Sequence, residues 1–239
     1  VRPALYLNLS SDMYSYAGTV CSDGTVNEQK KEETDNIASP LQKSGEFKFE
    51  TSLDNIVNTS GEDNKTAKYT YDYDENWFFT PSTTYQHELT KMSIRAAMAG
   101  YGVMDAPHSV DTNIKYLMAG NDKNSLEFTN YESSYPDPKT NTIGYAIGSK
   151  NIKNSAGETC SLLMVTVRGG GYMDEWGGNF DLGTKDEHQG FNEAALQVRD
   201  GIKKYVEKYK DKLPYELKVW ISGYSRGAAT TNLVAKIVR

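Results

Sequence analysis

The clearest periodicity lies late in the chain. Phe191, Ala195, Val198, Ile202, Tyr205 and Tyr209 recur at spacings of four, three, four, three and four, which predicts a helix over 190–209 with a single buried stripe. Before it, Leu162-Leu163-Met164-Val165-Thr166-Val167 is apolar without alternation, the pattern of a strand covered on both faces by helices. After it, Val219-Trp220-Ile221 marks a second strand over 218–222, followed by a small-residue helix, 228–235. Strand, helix and strand form a βαβ unit, whose crossover is right-handed and whose strands lie parallel and close together. Their carboxyl ends then share one edge, where open α/β sheets bind ligands.

Upstream the signals are shorter. Ile143-Gly144-Tyr145-Ala146-Ile147 predicts a strand joined to 162–167 around a polar hairpin loop, and a short helix is expected near 113–119. Tyr69, Tyr71 and Tyr73 alternate with Thr70 and Asp72 as a strand, and Trp77-Phe78-Phe79 lead to Pro81. Thr83 and Gln86 resemble a capping box ahead of a helix whose face is Leu89, Met92, Ala96 and Ala99 and whose end is Gly100. The aromatic group suits packing between helix and sheet better than the wall of a lipid pocket. Residues 1–66 are polar and loop-rich, with period-2 runs at 5–9 and 47–50; they are expected to be a polar linker or small β-containing segment before a compact domain spanning 67–239. The charged run Gln29–Asn36 is too poor in apolar residues to order itself and is assigned no chemistry.

Charge and cysteine count narrow the function. Lys+Arg 26 against Asp+Glu 32 gives a net charge of -6 over 239 residues, with no basic block, so a nucleic-acid partner is not expected. No apolar run is long enough to span a bilayer, and the start, Val1-Arg2-Pro3-Ala4-Leu5, lacks an initiator Met and a signal-peptide pattern; the chain is expected to begin inside a longer gene product. Cys21 and Cys160 are too few and too far apart for a disulfide framework or a zinc knuckle, and read as unpaired structural thiols. His87 and His108 have no ligand partner at a useful spacing, so neither a metal nor another cofactor is expected.

Candidate chemistry concentrates in Gly223-Tyr224-Ser225-Arg226-Gly227, at the junction of strand 218–222 and the helix after it. Three fixed positions recur by chance in about one chain in ten of this length, so the flanks decide. A strand running through Gly-x-Ser-x-Gly into a helix is a nucleophile elbow, in which a strained turn exposes the serine Oγ. Acyl transfer also needs preorganised N–H donors for an oxyanion. One would be the amide of Arg226. The other would come from Arg168-Gly169-Gly170-Gly171, at the end of the neighbouring strand, with Gly170 the first choice because glycine permits close backbone approach.

Val167-Arg168-Gly169-Gly170, Glu175-Trp176, Asn179-Phe180-Asp181, His188-Gln189-Gly190-Phe191 and the elbow together resemble, in order and spacing, the class 3 lipases of the α/β-hydrolase fold. The likeness covers about 69–239 and is strong from 162 onward. It implies an incomplete α/β-hydrolase sheet with helices on both faces, preceded by a loop-rich segment with a few strands. It implies Ser225 as nucleophile, Gly170 and Arg226 as the oxyanion hole, and a lid over Tyr172–Phe180, with Tyr172, Trp176 and Phe180 toward the substrate and Trp176 as apolar anchor. The expected partner is an ester or lipid substrate, met at a lipid interface, and the expected setting a secreted or surface bacterial protein. His188 falls in an element that precedes the long helix and is not the triad base. The resemblance also departs in two places, Tyr224 where such lipases often have His and Arg226 where they often have Leu; the Arg226 guanidinium is left to pair within the fold or to face an anionic substrate group. The triad Asp and His expected after the serine do not follow before Arg239, so little activity is expected of this chain alone, and an open strand edge with a bare last helix is expected to drive self-association.

Overall fold

The computed structural model describes residues 5–8, 37, 40–50, 66–100, 111–120, 125–134, 139–170, 173–184 and 187–238. Cys21, the 29–36 run, His108 and Tyr172 lie outside the described residues.

Among the described residues, β1 (Leu5–Asn8), β4 (Thr129–Ser134), β5 (Tyr145–Lys153), β6 (Thr159–Val167) and β7 (Leu217–Gly223) form one sheet in the order β1-β7-β6-β5-β4. β2 (Gln42–Glu50) and β3 (Thr66–Asp74) make a separate antiparallel ribbon. β6 and β7 are parallel, in the register Val165↔Ile221 and Val167↔Gly223, with α4 (Gln189–Tyr209) as the crossover between them. β5 and β6 pair as an antiparallel hairpin closed at Lys153↔Thr159. β6 is buried from Cys160 through Val167, as its unbroken apolar run requires.

Alternation along β6 and β7 divides the interior in two. Leu163, Val165 and Val167 join Val219 and Ile221 against Ala195, Val198, Ile202 and Tyr205 of α4 and Val234 and Ala235 of α5 (Arg226–Ile237). Leu162 and Met164 join Trp220 on the opposite face, packed against α1 (His87–Ala99), α2 (Asp111–Ala119) and Tyr71 and Tyr73 of β3. Helices therefore cover both faces. Trp220 is the hub of the second layer: its ring lies 6.2, 5.5 and 6.5 Å from those of Tyr73, Phe78 and Phe128, and its Nε1 donates to Ser93 Oγ at 2.8 Å. The leading aromatics are thus core.

The same layer buries an ion pair. Glu75 sits in a short 3-10 helix (Glu75–Phe79) and Lys150 on β5, 2.5 Å apart. Glu75 also accepts from the Leu41 amide at 2.8 Å, and Lys150 donates to the Leu126 carbonyl at 2.8 Å. Burial pushes the Lys150 ammonium below its ordinary value even though Glu75 opposes the shift.

Two expectations are corrected. The capping box does not form: Gln86 is itself the N-cap of α1, without a side-chain cap bond, and its amide donates instead to Thr80 Oγ1 at 3.2 Å. Nor does β7 present an open edge, because β1 pairs along it antiparallel, Leu5↔Ile221 through Asn8↔Lys218. The apolar side of α5 is likewise taken up against α4, so the surface on which self-association was expected is covered by the chain's own leading strand and crossover helix. Strand pairing also crosses the 66/67 boundary twice, through β1 with β7 and β2 with β3.

Candidate active site

At the end of β7 the backbone turns sharply into α5, and Ser225 takes φ 53, ψ -121, a region open to glycine and costly for other residues. The turn is closed by the Gly227 amide donating to the Tyr224 carbonyl at 2.8 Å and the Ala228 amide to the Ser225 carbonyl at 2.9 Å. Its two glycines are fixed by contact with backbone. A Cβ on Gly223 would stand 2.5 Å from the Gly227 carbonyl oxygen, and one on Gly227 would overlap the carbonyls of Val167 and Arg168. Ser225 is exposed as a result, at the N-terminus of a helix.

The parallel register sets Val167 beside Gly223, so the chain leaving β6 passes the elbow directly. Arg168 is buried, and its amide donates to the Gly144 carbonyl at 2.9 Å, which holds the start of the glycine loop on the β5 side. Gly170 follows, half-buried, its Cβ position 3.9 Å from Arg226 Cδ. Gly170 and Arg226 are therefore neighbours, as are the strand ends that carry them. Residues 165–239 match the model of the lipase (class 3) family. That region takes in the glycine loop, α4, the elbow and α5. The mixed sheet with helices on both faces is consistent with an α/β-hydrolase-like fold. No curated protein and no solved structure matches the chain.

Within the matched region, α3 (Met173–Phe180) stands where the lid is expected. Its inward positions are Glu175, fully buried, and Gly178; Trp176 is 47% and Phe180 75% exposed. Leu182 and Tyr224 are also exposed. Glycine explains how α3 seats itself, since a Cβ on Gly178 would overlap the Thr140 carbonyl and one on Gly190 of α4 would overlap the Gly178 carbonyl. Asn141 braces the same corner, donating to Asp181 Oδ2 at 3.2 Å and Glu193 Oε2 at 2.5 Å.

Arg226 resolves inward. It is 2% exposed, and its Nη1 donates to the Glu175 main-chain carbonyl at 2.9 Å. Sequence reasoning did not find Glu175 as its partner; the only signal was the arginine where a leucine is common. His188 is occupied at both ring nitrogens: Nδ1 accepts from the Phe191 amide at 3.4 Å, and Nε2 donates to the Asn179 carbonyl at 3.0 Å. Its ring also stacks on Phe191 at 4.0 Å. It joins the end of α3 to the start of α4 and has no nitrogen left to take a proton from Ser225. His87 is hydrogen-bonded to the Tyr85 hydroxyl at 2.9 Å on an exposed stretch. Among the described residues, no group of three His, Cys, Asp or Glu side chains is placed to hold a metal ion, and no helix is long and apolar enough to cross a membrane.

Proposed function

We propose that this chain carries the nucleophile and the oxyanion elements of a serine carboxylic-ester hydrolase, acting on an ester or lipid substrate. The observation that carries the reading is the backbone of Ser225: a strained, positive-φ serine, exposed between a parallel strand and a helix N-terminus, beside a glycine loop. Strain of this kind persists only where the surroundings over-determine it, and such sites cluster where chemistry is done.

In the proposed reaction, Ser225 Oγ attacks the ester carbonyl carbon while its proton passes to a general base. The carbonyl π electrons move onto oxygen. That oxyanion accepts from the amides of Arg226 and Gly170, and the dipole of α5 favours negative charge at the same point. Collapse expels the alcohol, which takes the proton, and leaves an acyl ester on Ser225 for water to cleave. The exposure of Trp176, Phe180, Leu182 and Tyr224 supports contact with a lipid interface.

The test is fluorophosphonate labelling of the full-length protein, with Ser225→Ala as control, followed by turnover of p-nitrophenyl esters, acyl thioesters and peptides. Labelling confined to Ser225, with ester hydrolysis falling by about four orders of magnitude or more in S225A, is the expected result. Turnover of thioesters or peptides without esters would move the reaction to another acyl transfer. A protein that takes no label would instead be a hydrolase-like module that binds without catalysis.

A further inference from the structure

The residue after the serine bears two connections, and they point in different directions. Its main chain begins α5 beside Ser225, where the amide is the proposed oxyanion donor. Its side chain runs under the glycine loop, with Cδ 3.9 Å from the Cβ position of Gly170, and ends on α3, where Nη1 meets the Glu175 carbonyl at 2.9 Å. Nη2 lies 2.8 Å from the Cβ position of Gly178 in the next turn, so a side chain there would displace the guanidinium. A buried guanidinium held this way is rigid: it is planar, permanently charged, and costly to leave without acceptors.

We propose that Arg226 is a positioning residue that ties α3 to the oxyanion loop, making the inner face of α3 a fixed wall of the site whose placement is transmitted to the two amides. The proposal rests on the reading of Ser225 as nucleophile for its kinetic consequence, though not for its structural one. A leucine here would be too short to reach any carbonyl on α3. The arginine thereby makes the geometry of the oxyanion site depend on the seating of α3. Glu175 and Gly178 are the receiving positions, the first through its carbonyl and the second through the absence of a side chain.

The experiment compares wild type, Arg226→Met, which keeps the aliphatic stem and the main-chain amide but loses every side-chain donor, and Arg226→Lys, which restores one, in the full-length protein. Amide hydrogen exchange is followed over 173–180, with β6 as internal reference. Loss of a hydrogen bond to a charged group predicts exchange over 173–180 faster by about tenfold to a hundredfold in R226M, with R226K between and β6 unchanged. The rate of Ser225 phosphonylation and kcat should fall in the same order while KM stays near wild type, since the oxyanion contacts strengthen only as charge develops. Exchange over 173–180 in R226M equal to wild type would overturn the proposal. So would an equal rise in β6 and 173–180 in both variants, which would make Arg226 a residue of general stability. Absence of label in wild type defeats the hydrolase reading alone, and the exchange comparison still decides the tie.

Discussion

On one face of the sheet, β6 and β7 meet the small and branched side chains of α4 and α5, among them Ala194, Ala195, Val198, Val234 and Ala235; on the other, Trp220 is ringed by Tyr73, Phe78 and Phe128 beside a buried Glu75–Lys150 pair. Small residues and glycines let main chains touch, and contacts between main chains fix positions to a few tenths of an ångström. Large rings and a buried salt bridge fill volume and hold the sheet chiefly through side chains. The elbow stands at the end of the first arrangement. The two faces thus divide the work, one placing atoms and the other supplying cohesion.

The placing face is most vulnerable at Gly227. Gly227→Ala forces a Cβ into the carbonyls of Val167 and Arg168, backbone groups that cannot rotate away. A loss of about 4 kcal/mol or more is expected, together with loss of Ser225 labelling; urea unfolding and the fluorophosphonate assay read the two. If the placing face tolerated this change, its precision would not reside in backbone contact.

The cohesive face is tested at Lys150, whose side chain is 12% exposed beside a Glu75 that is 5% exposed. Lys150→Met leaves the carboxylate buried without its partner and should cost about 3 kcal/mol in urea unfolding. Changing Glu75→Gln as well should recover most of that, because the penalty belongs to the stranded charge. Neither variant should slow the labelling of Ser225 in protein that remains folded.

The smallest effect is a pH dependence that sharpens the same division. Burial pushes the Cys160 thiol on β6 up to about 12 from about 9. Its folded form holds the proton where the unfolded chain releases it, so the contribution to stability is complete below pH 9 and is lost as pH rises from there toward 12. By pH 10 the loss is about 1.4 kcal/mol. Cys160→Ala should therefore be less stable than wild type at neutral pH, through the cavity it leaves, with a shallower fall in urea midpoint between pH 8 and pH 10.

How much of this was legible follows the range of the forces involved. β6, α4, β7 and the elbow are written in local periodicity and in one turn motif, and the sequence reading placed each of them within a few residues. β4, Thr-Asn-Tyr-Glu-Ser-Ser, is a polar edge strand whose register shifts between Thr129 and Glu132; nothing local distinguishes it from a loop. β1 is a short run whose partner, β7, lies at the far end of the chain, and only the folded sheet reveals that it closes that edge. At the site, the positions of Ser225 and Gly170 followed from strand ends sharing an edge. The inward course of Arg226 and its partner on α3 did not, because a guanidinium reads alike in sequence whether it meets a carbonyl, a carboxylate or a substrate.

The backbone at 225 has an evolutionary corollary. Glycine adopts φ 53, ψ -121 freely, whereas any side chain there carries a penalty of about 1–3 kcal/mol. Under selection for a durable fold alone, mutation would drift toward glycine at that position and the hydroxyl would be shed. On the proposed reading of Ser225 as nucleophile, a serine held in such a conformation works as a natural reporter: among descendants of this chain, its replacement by glycine would mark lineages in which the hydroxyl was no longer needed.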